Sequence, residues 1–175
     1  MCIRKYLILF IFSISAHAQS PQLSPNLGVS VTASDIAAWD ISILPDGRGL
    51  PAGSGVAATG AKIYGQKCAI CHGDEGKGGS ASAVISTIKI QSINGGERTI
   101  ANFWPVSTTL FDYIRRAMPW QQPKTLSDDE VYALVAYILA ANKVIADSDV
   151  MNAQTLPKVR MPNRDGFIPR FPRLM

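Results

Sequence analysis

The pentapeptide at residues 68–72 constrains this chain more than any other feature, because it is the one place where the sequence spells C-x-x-C-H. Two thiols three positions apart reach the two vinyl groups on one edge of a porphyrin and bond to them as thioethers. The histidine beside the second thiol then lies under the ring, where its imidazole can ligate the iron. The motif predicts one covalent haem c, attached through Cys68 and Cys71 and ligated by His72.

Three other uses of this cysteine pair are a structural disulfide, a redox C-x-x-C and half of a zinc site. A structural zinc ion takes four nitrogen or sulfur ligands, whereas the chain beyond residue 18 offers only Cys68, Cys71 and His72. A thioredoxin-type motif belongs to a βαβ pattern, which this sequence does not show. Covalent haem is therefore the favoured interpretation.

Residues 1–18 have the three parts of a secretory signal peptide. Arg4 and Lys5 form a basic start, residues 6–14 are an apolar run, and Ala16-His17-Ala18 supplies a small-x-small cleavage pattern. An uncleaved anchor is the alternative, but the run is shorter than the ~20 residues that span a bilayer as a helix. We expect a periplasmic protein without a membrane span after cleavage.

Cleavage changes the composition that bears on partners. Cys2 and His17 leave with the signal peptide, and the loss of Arg4 and Lys5 lowers the formal net charge from +4 to +2. We expect no nucleic-acid partner for a chain that is only mildly basic. Because no spare cysteine pair remains, the exported chain has no disulfide framework.

The remaining sequence divides by composition into three parts. Residues 19–53, rich in proline and glycine, are predicted to form an extended N-terminal leader with one short helix at 34–39. A disordered linker is the alternative for this part. Residues 54–145 carry helical patterns and are predicted to be the haem domain. Residues 146–175 lose that periodicity and are predicted to be a Pro-rich basic C-terminal extension.

Hydrophobic periodicity predicts an all-α domain. Helices are expected over 54–68, 107–117 and 127–142, and the last is opened by an S-x-x-E capping box. Glycine inside a helix costs about 1 kcal/mol relative to alanine, so Gly60 predicts that the last helix crosses the first one closely. The apolar alternation at 84–93 has no evident pairing partner and is interpreted as a loop.

A haem iron held by one histidine has a sixth coordination position to fill. Without a second histidine after export, the choices are methionine, lysine or an open site. Met118 is the leading candidate, because it precedes a proline between the last two predicted helices, and Met161, also followed by proline, is its rival. The alternative for Met118 is a methionine that fills a gap in the core.

Ligation by His72 and Met118 is the pairing expected of electron-transfer cytochromes. The soft thioether favours ferrous iron and raises the reduction potential, and a six-coordinate iron has no place for a substrate. We therefore predict no catalytic residue. The apolar side chains expected around the haem are Tyr64, Phe103, Leu110, Ile114 and Leu134, and Trp104 or Arg98 could bind a haem propionate.

The order of these features resembles class I cytochrome c over residues 54–145, which implies that fold, with helices packed around one haem. Longer strings resemble the cytochrome subunit of Sox-type sulfur (sulfane) dehydrogenases over most of 35–167, with the poorest agreement at 80–96. These strings are AWDI (38–41), PDG (45–47), WP (104–105), TTLFDYIRRAMP (108–119), TLPKV (155–159) and MPNRDGF (161–167). The resemblance implies thioethers at Cys68 and Cys71 and iron ligands at His72 and Met118.

In that family the cytochrome accepts electrons from a molybdenum-containing dehydrogenase that oxidises carrier-bound sulfur. The resemblance implies such a dehydrogenase as donor and another cytochrome as acceptor. Some members carry two haems, but a single C-x-x-C-H excludes a second haem here. The chain is expected to be an electron-transfer subunit rather than a catalyst by itself. The alternatives are a free-standing soluble shuttle and a haem enzyme with an open sixth site.

Redox partners are expected to dock near the thioethers, around Lys67, Ile70, Pro119 and Trp120. We predict that cations converge there and raise the association rate, whereas the acidic residues at 128–130 form a separate cluster. The alternative is a permanent subunit whose leader and extension wrap the partner over a larger interface. The cations in question are Lys67, Lys77, Arg115, Arg116 and Lys124.

Overall fold

The computed structural model describes residues 28–86 and 98–167. The chain forms two compact units, residues 1–39 and residues 40–175. The predicted signal peptide at 1–18 and most of the predicted loop at 84–93 lie outside the described residues. Within the described ranges, no helix is both long and apolar enough to cross a membrane.

In the first unit, helix α1 spans Ala33–Trp39, which agrees with the short helix predicted at 34–39. A reciprocal pair of hydrogen bonds closes its start. The Thr32 backbone N–H donates to the Asp35 carboxylate over 2.9 Å, and the Asp35 N–H donates to the Thr32 hydroxyl over 3.2 Å. Such a pair satisfies backbone donors that the first helical turn leaves free.

The second unit is mainly helical in its described part, which confirms the all-α prediction. Two three-residue strands form one antiparallel pair, with Gly55 opposite Met151. A 3₁₀ turn follows at Leu156–Lys158. In chain order the other elements are β1 (Ser54–Val56), α2 (Ala57–Lys67), α3 (Ala69–His72), α4 (Ile100–Phe103), α5 (Thr108–Ala117), α6 (Asp128–Ala141) and β2 (Val150–Asn152).

Helix α6 is the centre of the core. Its apolar side chains are almost completely removed from water, among them Val131, Leu134, Val135, Ile138 and Leu139. The predicted capping box is present: the Glu130 N–H donates to the Ser127 hydroxyl, and the Ser127 N–H donates to the Glu130 carboxylate. Three acidic residues in its first turn complement the helix dipole.

The close crossing of α2 and α6 was predicted from Gly60 and is confirmed. A Cβ atom at Gly60 would lie 1.9 Å from the Ala133 carbonyl oxygen, far inside van der Waals contact. Glycine therefore lets the two backbones meet directly. This contact positions α2, which leads directly into the C-x-x-C-H segment.

The first helix was predicted to begin near Ser54, but it begins at Ala57, because Ser54–Val56 is the strand β1. Its backbone is extended to pair with β2. The strand also runs directly over α6, since a Cβ at Gly55 would lie 2.1 Å from the Ala133 nitrogen. A helical turn here could not make both contacts.

Residues 146–167 pack onto the helices within the second unit. Met151, Leu156 and Met161 are fully buried in the core cluster. The Ser107 hydroxyl, at the start of α5, donates to the Leu156 carbonyl over 2.7 Å. The prediction of an extension from residue 146 therefore corresponds to a segment that lacks periodicity but contributes side chains to the core.

Candidate functional site

The C-x-x-C-H segment lies at the junction of α2 and α3. The Cys68 N–H donates to the Tyr64 carbonyl over 2.9 Å and so continues the α2 ladder, and the His72 N–H donates to the Cys68 carbonyl over 3.0 Å. One turn of helix thus presents Cys68, Cys71 and His72 together. Between the two thiols, Ala69 is buried and Ile70 is 88% exposed.

The His72 ring has a defined tautomer. Its Nδ1 atom lies 2.7 Å from the backbone carbonyl oxygen of Ser82. A carbonyl oxygen only accepts hydrogen bonds, so Nδ1 carries the proton and donates it. In the neutral imidazole Nε2 then keeps its lone pair, which is the form that binds a metal. The same hydrogen bond fixes the orientation of the ring.

A tight glycine-rich loop brings Ser82 to the ring. The Gly78 N–H donates to the His72 carbonyl and the Ala81 N–H donates to the Cys71 carbonyl, each over 2.9 Å. Gly79 must lack a side chain, because a Cβ there would lie 2.7 Å from the Cys71 carbonyl oxygen. The loop therefore folds back on the segment that it follows.

The two cysteines are free thiols of intermediate exposure. Burial raises the pKa of the Cys68 thiol to about 11. A redox C-x-x-C works through a thiol whose pKa is lowered, so this environment is the opposite of the one that dithiol oxidoreductases build. Within the described ranges, no group of three or more His, Cys, Asp or Glu residues is arranged to hold a metal ion.

The methionines differ in their surroundings. Met118 is the C-cap of α5, and its N–H donates to the Ile114 carbonyl over 3.0 Å. Its side chain is half-buried and packs against the same core cluster as Cys68. Met151 and Met161 are buried members of that cluster, as expected of methionines that fill a core. Of the described methionines, Met118 is therefore the one whose thioether is least committed to the core.

The predicted haem-lining residues are placed as follows. Tyr64, Leu110, Ile114 and Leu134 are buried in the core cluster, and Trp104 packs against it. Phe103 is half-buried, and its ring makes an edge contact with Phe167 at 5.3 Å between centroids. The Arg98 guanidinium lies over the Phe103 ring, 5.1 Å from its centroid. The structure thus gives Arg98 a cation–π contact near one of the expected side chains.

Sequence reasoning missed Thr99. This residue is 2% exposed and lies at the start of α4, where its N–H donates to the Asn102 side chain over 2.7 Å, but its hydroxyl oxygen has no hydrogen-bond partner. A buried hydroxyl without a partner is costly. Thr99 therefore joins Trp104 and Arg98 as a residue that could bind a propionate. Its residue type alone gave no signal, because most threonines are surface or cap residues.

The predicted separation of cations and acidic residues was wrong. Lys67 pairs with Glu130 at 2.7 Å, and Arg115 pairs with Asp128 at 3.1 Å. The C-terminal ends of α2 and α5 both reach the start of α6, so their cations meet its acidic first turn. Two other predicted cations have carboxylate partners on their own segments, Lys77 with Glu75 and Arg116 with Asp112.

Two large apolar side chains, which follow these cations closely in the chain, remain exposed. Trp120, two residues beyond Met118, is 80% exposed, and Ile70 lies between the two thiols. Of the predicted docking residues, Ile70 and Trp120 are thus exposed and Lys67 and Pro119 are half-buried, and the cation among them is paired.

Comparison with known proteins agrees with this architecture. The family described as cytochrome c oxidase, cbb3-type, subunit III, matches residues 55–138. A chain in the crystal structure of the sulfane dehydrogenase SoxCD from Paracoccus pantotrophus matches with 36% sequence identity and a TM-score of 0.78. The match covers 83% of this chain and 72% of that chain. Among curated proteins none matches the sequence.

The fold and the C-x-x-C-H segment define a class I c-type cytochrome, an electron carrier whose cofactor is haem c. Within that class, the chain belongs to the family of the cytochrome chain of Sox-type sulfane dehydrogenase. The donor set present fits haem c: two thiols and an imidazole on one helical turn, and a half-buried methionine at the end of α5.

Proposed function

We propose that this chain is a periplasmic monohaem cytochrome that accepts single electrons from a molybdenum-containing sulfur-compound dehydrogenase, as its permanent subunit. The observation that carries the proposal is the match to the SoxCD chain, which extends beyond the haem domain to 83% of this chain. A match limited to the haem domain would have supported any soluble cytochrome equally.

We assign the thioethers to Cys68 and Cys71, and the haem iron would be held by His72 Nε2 and Met118. Bound haem c supplies a ferric–ferrous couple that carries one electron. The chain's own residues hold and tune it. The Ser82 carbonyl orients the imidazole, Met118 supplies a soft donor that favours the ferrous state, and buried apolar side chains lower the local dielectric. Trp104, Arg98 or Thr99 would hold a propionate.

The partner is expected to dock around Ile70, Pro119 and Trp120. The Lys67–Glu130 and Arg115–Asp128 pairs neutralise charge near this surface, so long-range attraction has little net charge on which to act. Transient redox encounters are small, below about 1,200 Å², whereas permanent complexes bury larger and more apolar areas. Exposed Trp120 and Ile70 beside paired charges favour the permanent subunit over the free-standing shuttle.

The test is affinity purification of the tagged chain from its host at low and at high salt, followed by molybdenum analysis and haem staining of a denaturing gel. We expect a stained band at the size of the processed chain, beginning at Gln19, and molybdenum that co-elutes even at high salt. Purification of stained chain without molybdenum at both salts would support the shuttle instead.

The variant in which Cys68 and Cys71 are both alanine is the control for attachment. It should give no stained band. Extraction of the haem of the unmodified chain into acidified organic solvent would contradict the thioether assignment. Binding of carbon monoxide by the unmodified reduced protein would contradict ligation by Met118 and support the haem enzyme with an open sixth site.

A further inference from the structure

Asn142 makes three hydrogen bonds with its side chain, and two of them leave its own helix. It is the C-cap of α6 and is 7% exposed. Its Nδ2 donates to the Ile138 carbonyl over 2.8 Å and to the Val84 carbonyl over 2.9 Å. Its Oδ1 accepts from the Ser86 N–H over 2.9 Å. The end of the central helix is thus joined to the loop that follows the C-x-x-C-H segment.

The bonds to the loop lie close to the Ser82 carbonyl that holds the His72 ring. Val84 is two residues beyond Ser82, and its own N–H donates to the Gly76 carbonyl over 2.8 Å. Val84 is therefore fixed on one side by Gly76 and on the other by Asn142. Between Ser82 and Val84, Ala83 is buried. A carbonyl held so near to two anchors has little freedom to move away from the ring.

We propose that Asn142 is a positioning residue for His72: it holds the loop at 82–86 so that the Ser82 carbonyl keeps its hydrogen bond to Nδ1 and thereby sets the donor strength of Nε2. The inference rests on the proposed function, in which Nε2 ligates the haem iron. A hydrogen bond to the distal nitrogen of a ligating imidazole fixes its orientation and increases its basicity. A more basic ligand favours the ferric state, so Asn142 contributes to keeping the reduction potential down.

The competing explanation is that Asn142 only terminates α6. For that role the bond to the Ile138 carbonyl, one turn back, is sufficient. The bonds to Val84 and Ser86 join positions 58 and 56 residues apart, and a helix terminator does not need them. A purely structural role predicts lower stability with an unchanged His72, whereas the positioning role predicts a change at the ring and at the iron.

The experiment compares Asn142→Ala and Asn142→Ser with the unmodified holoprotein. Serine retains the capacity to bond the carbonyl four residues earlier but is too short to reach the loop, so it keeps the helix end intact if alanine prevents folding. The matched control is Asn152→Ala. The Asn152 side chain also stabilises a turn, because its Oδ1 accepts hydrogen bonds from the Gln154 and Thr155 N–H groups, each over 2.9 Å.

The first measurement is exchange of the His72 Nδ1 proton with solvent, by NMR of protein labelled with ¹⁵N-histidine. The sequence contains only His17 and His72, so assignment is direct. Each lost neutral hydrogen bond corresponds to about a fivefold change in a local opening equilibrium, so losing both loop bonds should speed exchange by about 25-fold. The second measurement is the reduction potential, which should rise. A threefold shift of the ferric–ferrous equilibrium towards ferrous iron would raise the reduction potential by about 28 mV, because a tenfold shift corresponds to about 59 mV for one electron.

Unchanged exchange and potential in both Asn142 variants, with Asn152→Ala also unchanged, would overturn the proposal and leave Asn142 as a helix terminator. The same changes in Asn152→Ala would overturn it too, by showing a general loss of stability. Failure of the proposed function is scored separately, because haem staining of the unmodified chain does not depend on Asn142. The hydrogen bond from Ser86 to Asn142 is also measured in the holoprotein by a readout that does not involve the haem, amide exchange at Ser86, which should accelerate in both Asn142 variants.

Discussion

The contact between α2 and α6 allows a prediction from two glycines in one helix. Gly60 and Gly65 both lie in α2, so alanine at either position gains about 1 kcal/mol of helix propensity. The space around them differs. A Cβ at Gly60 would lie 1.9 Å from the Ala133 carbonyl oxygen, whereas a Cβ at Gly65 has no neighbouring atom within 4 Å. To restore an ordinary contact distance of about 3.4 Å, the two helices would have to separate by about 1.5 Å.

The magnitude follows from that separation. Overpacking a core costs about 1–3 kcal/mol, and a clash against backbone belongs at the upper end because a carbonyl cannot rotate away. Subtracting the propensity gain leaves Gly60→Ala about 2 kcal/mol less stable, and Gly65→Ala should be about 1 kcal/mol more stable. For a urea slope of about 2 kcal/mol/M, the midpoints should shift by about −1 M and +0.5 M.

Urea titrations of the unmodified protein and the two variants, followed by far-ultraviolet circular dichroism, measure both shifts. Gly65→Ala is the internal control, because it makes the same chemical change in the same helix without the contact. If Gly60→Ala unfolds at the same urea concentration as the unmodified protein, or at a higher one, the close approach of α2 and α6 is refuted.

Three further predictions concern the ligand, the acidic start of α6 and the docking surface. Met118→Ala should admit carbon monoxide and lower the reduction potential, because the soft donor is lost. Met161 is 1% exposed, so Met161→Ala should change neither property but should cost about 2–5 kcal/mol of stability. Carbon monoxide spectra, potentiometry and urea titration separate the two, and exchanged phenotypes would make Met161 the ligand. The hydrogen bond from Lys67 keeps the pKa of Glu130 below its usual 4.5. The ionised Glu130 carboxylate therefore stabilises the folded protein above pH 4.5, and this stabilisation is lost as the pH falls through the lowered pKa. Urea midpoints at decreasing pH should therefore fall more steeply for the unmodified protein than for Glu130→Gln, and parallel curves would contradict this. Trp120→Ser should weaken binding to the dehydrogenase more than Lys67→Ser in sedimentation analysis, and the reverse order would indicate docking by charge.

The helices were predictable because their determinants are local. The capping box and apolar stripe of α6 predicted 127–142, and the structure has Asp128–Ala141 with Ser127 as its cap. Hydrophobic periodicity predicted a helix over 107–117, and α5 spans Thr108–Ala117. Gly60 carried non-local information, because its place on the packed face of α2 indicated a close neighbour, whereas Gly65 in the same helix has no such contact.

The strand pair and the ion pairs were not predictable for the opposite reason. Strands of three residues have no period to detect, and their pairing joins segments far apart in the sequence, Ser54–Val56 and Val150–Asn152. Residues after 146 lack periodicity, so the burial of Met151 and Leu156 left no pattern in the sequence. Which cation meets which carboxylate depends on the angles at which α2 and α5 approach α6, and composition does not encode those angles.

Some groups of the candidate site could be predicted from the sequence and others could not. Cys68, Cys71 and His72 are identified by residue type and spacing, and so were predicted directly. The group that fixes the imidazole is the carbonyl of Ser82, and every residue has a carbonyl. Asn142 lies 70 positions from His72 and has no motif of its own. Such groups become visible only when the loop and the helix end are seen together.

The pairing of β1 with β2 also has a consequence for the order in which the molecule assembles. Closing a long loop costs entropy that grows with the logarithm of its length, and contacts distant in sequence slow folding. Each strand contributes only three residues, too few to meet that cost alone. The β1–β2 pair should therefore form after α2 has docked on α6, because that docking brings the two strands together. Helix docking would be the early event, and closure of the strands the last step in completing the domain.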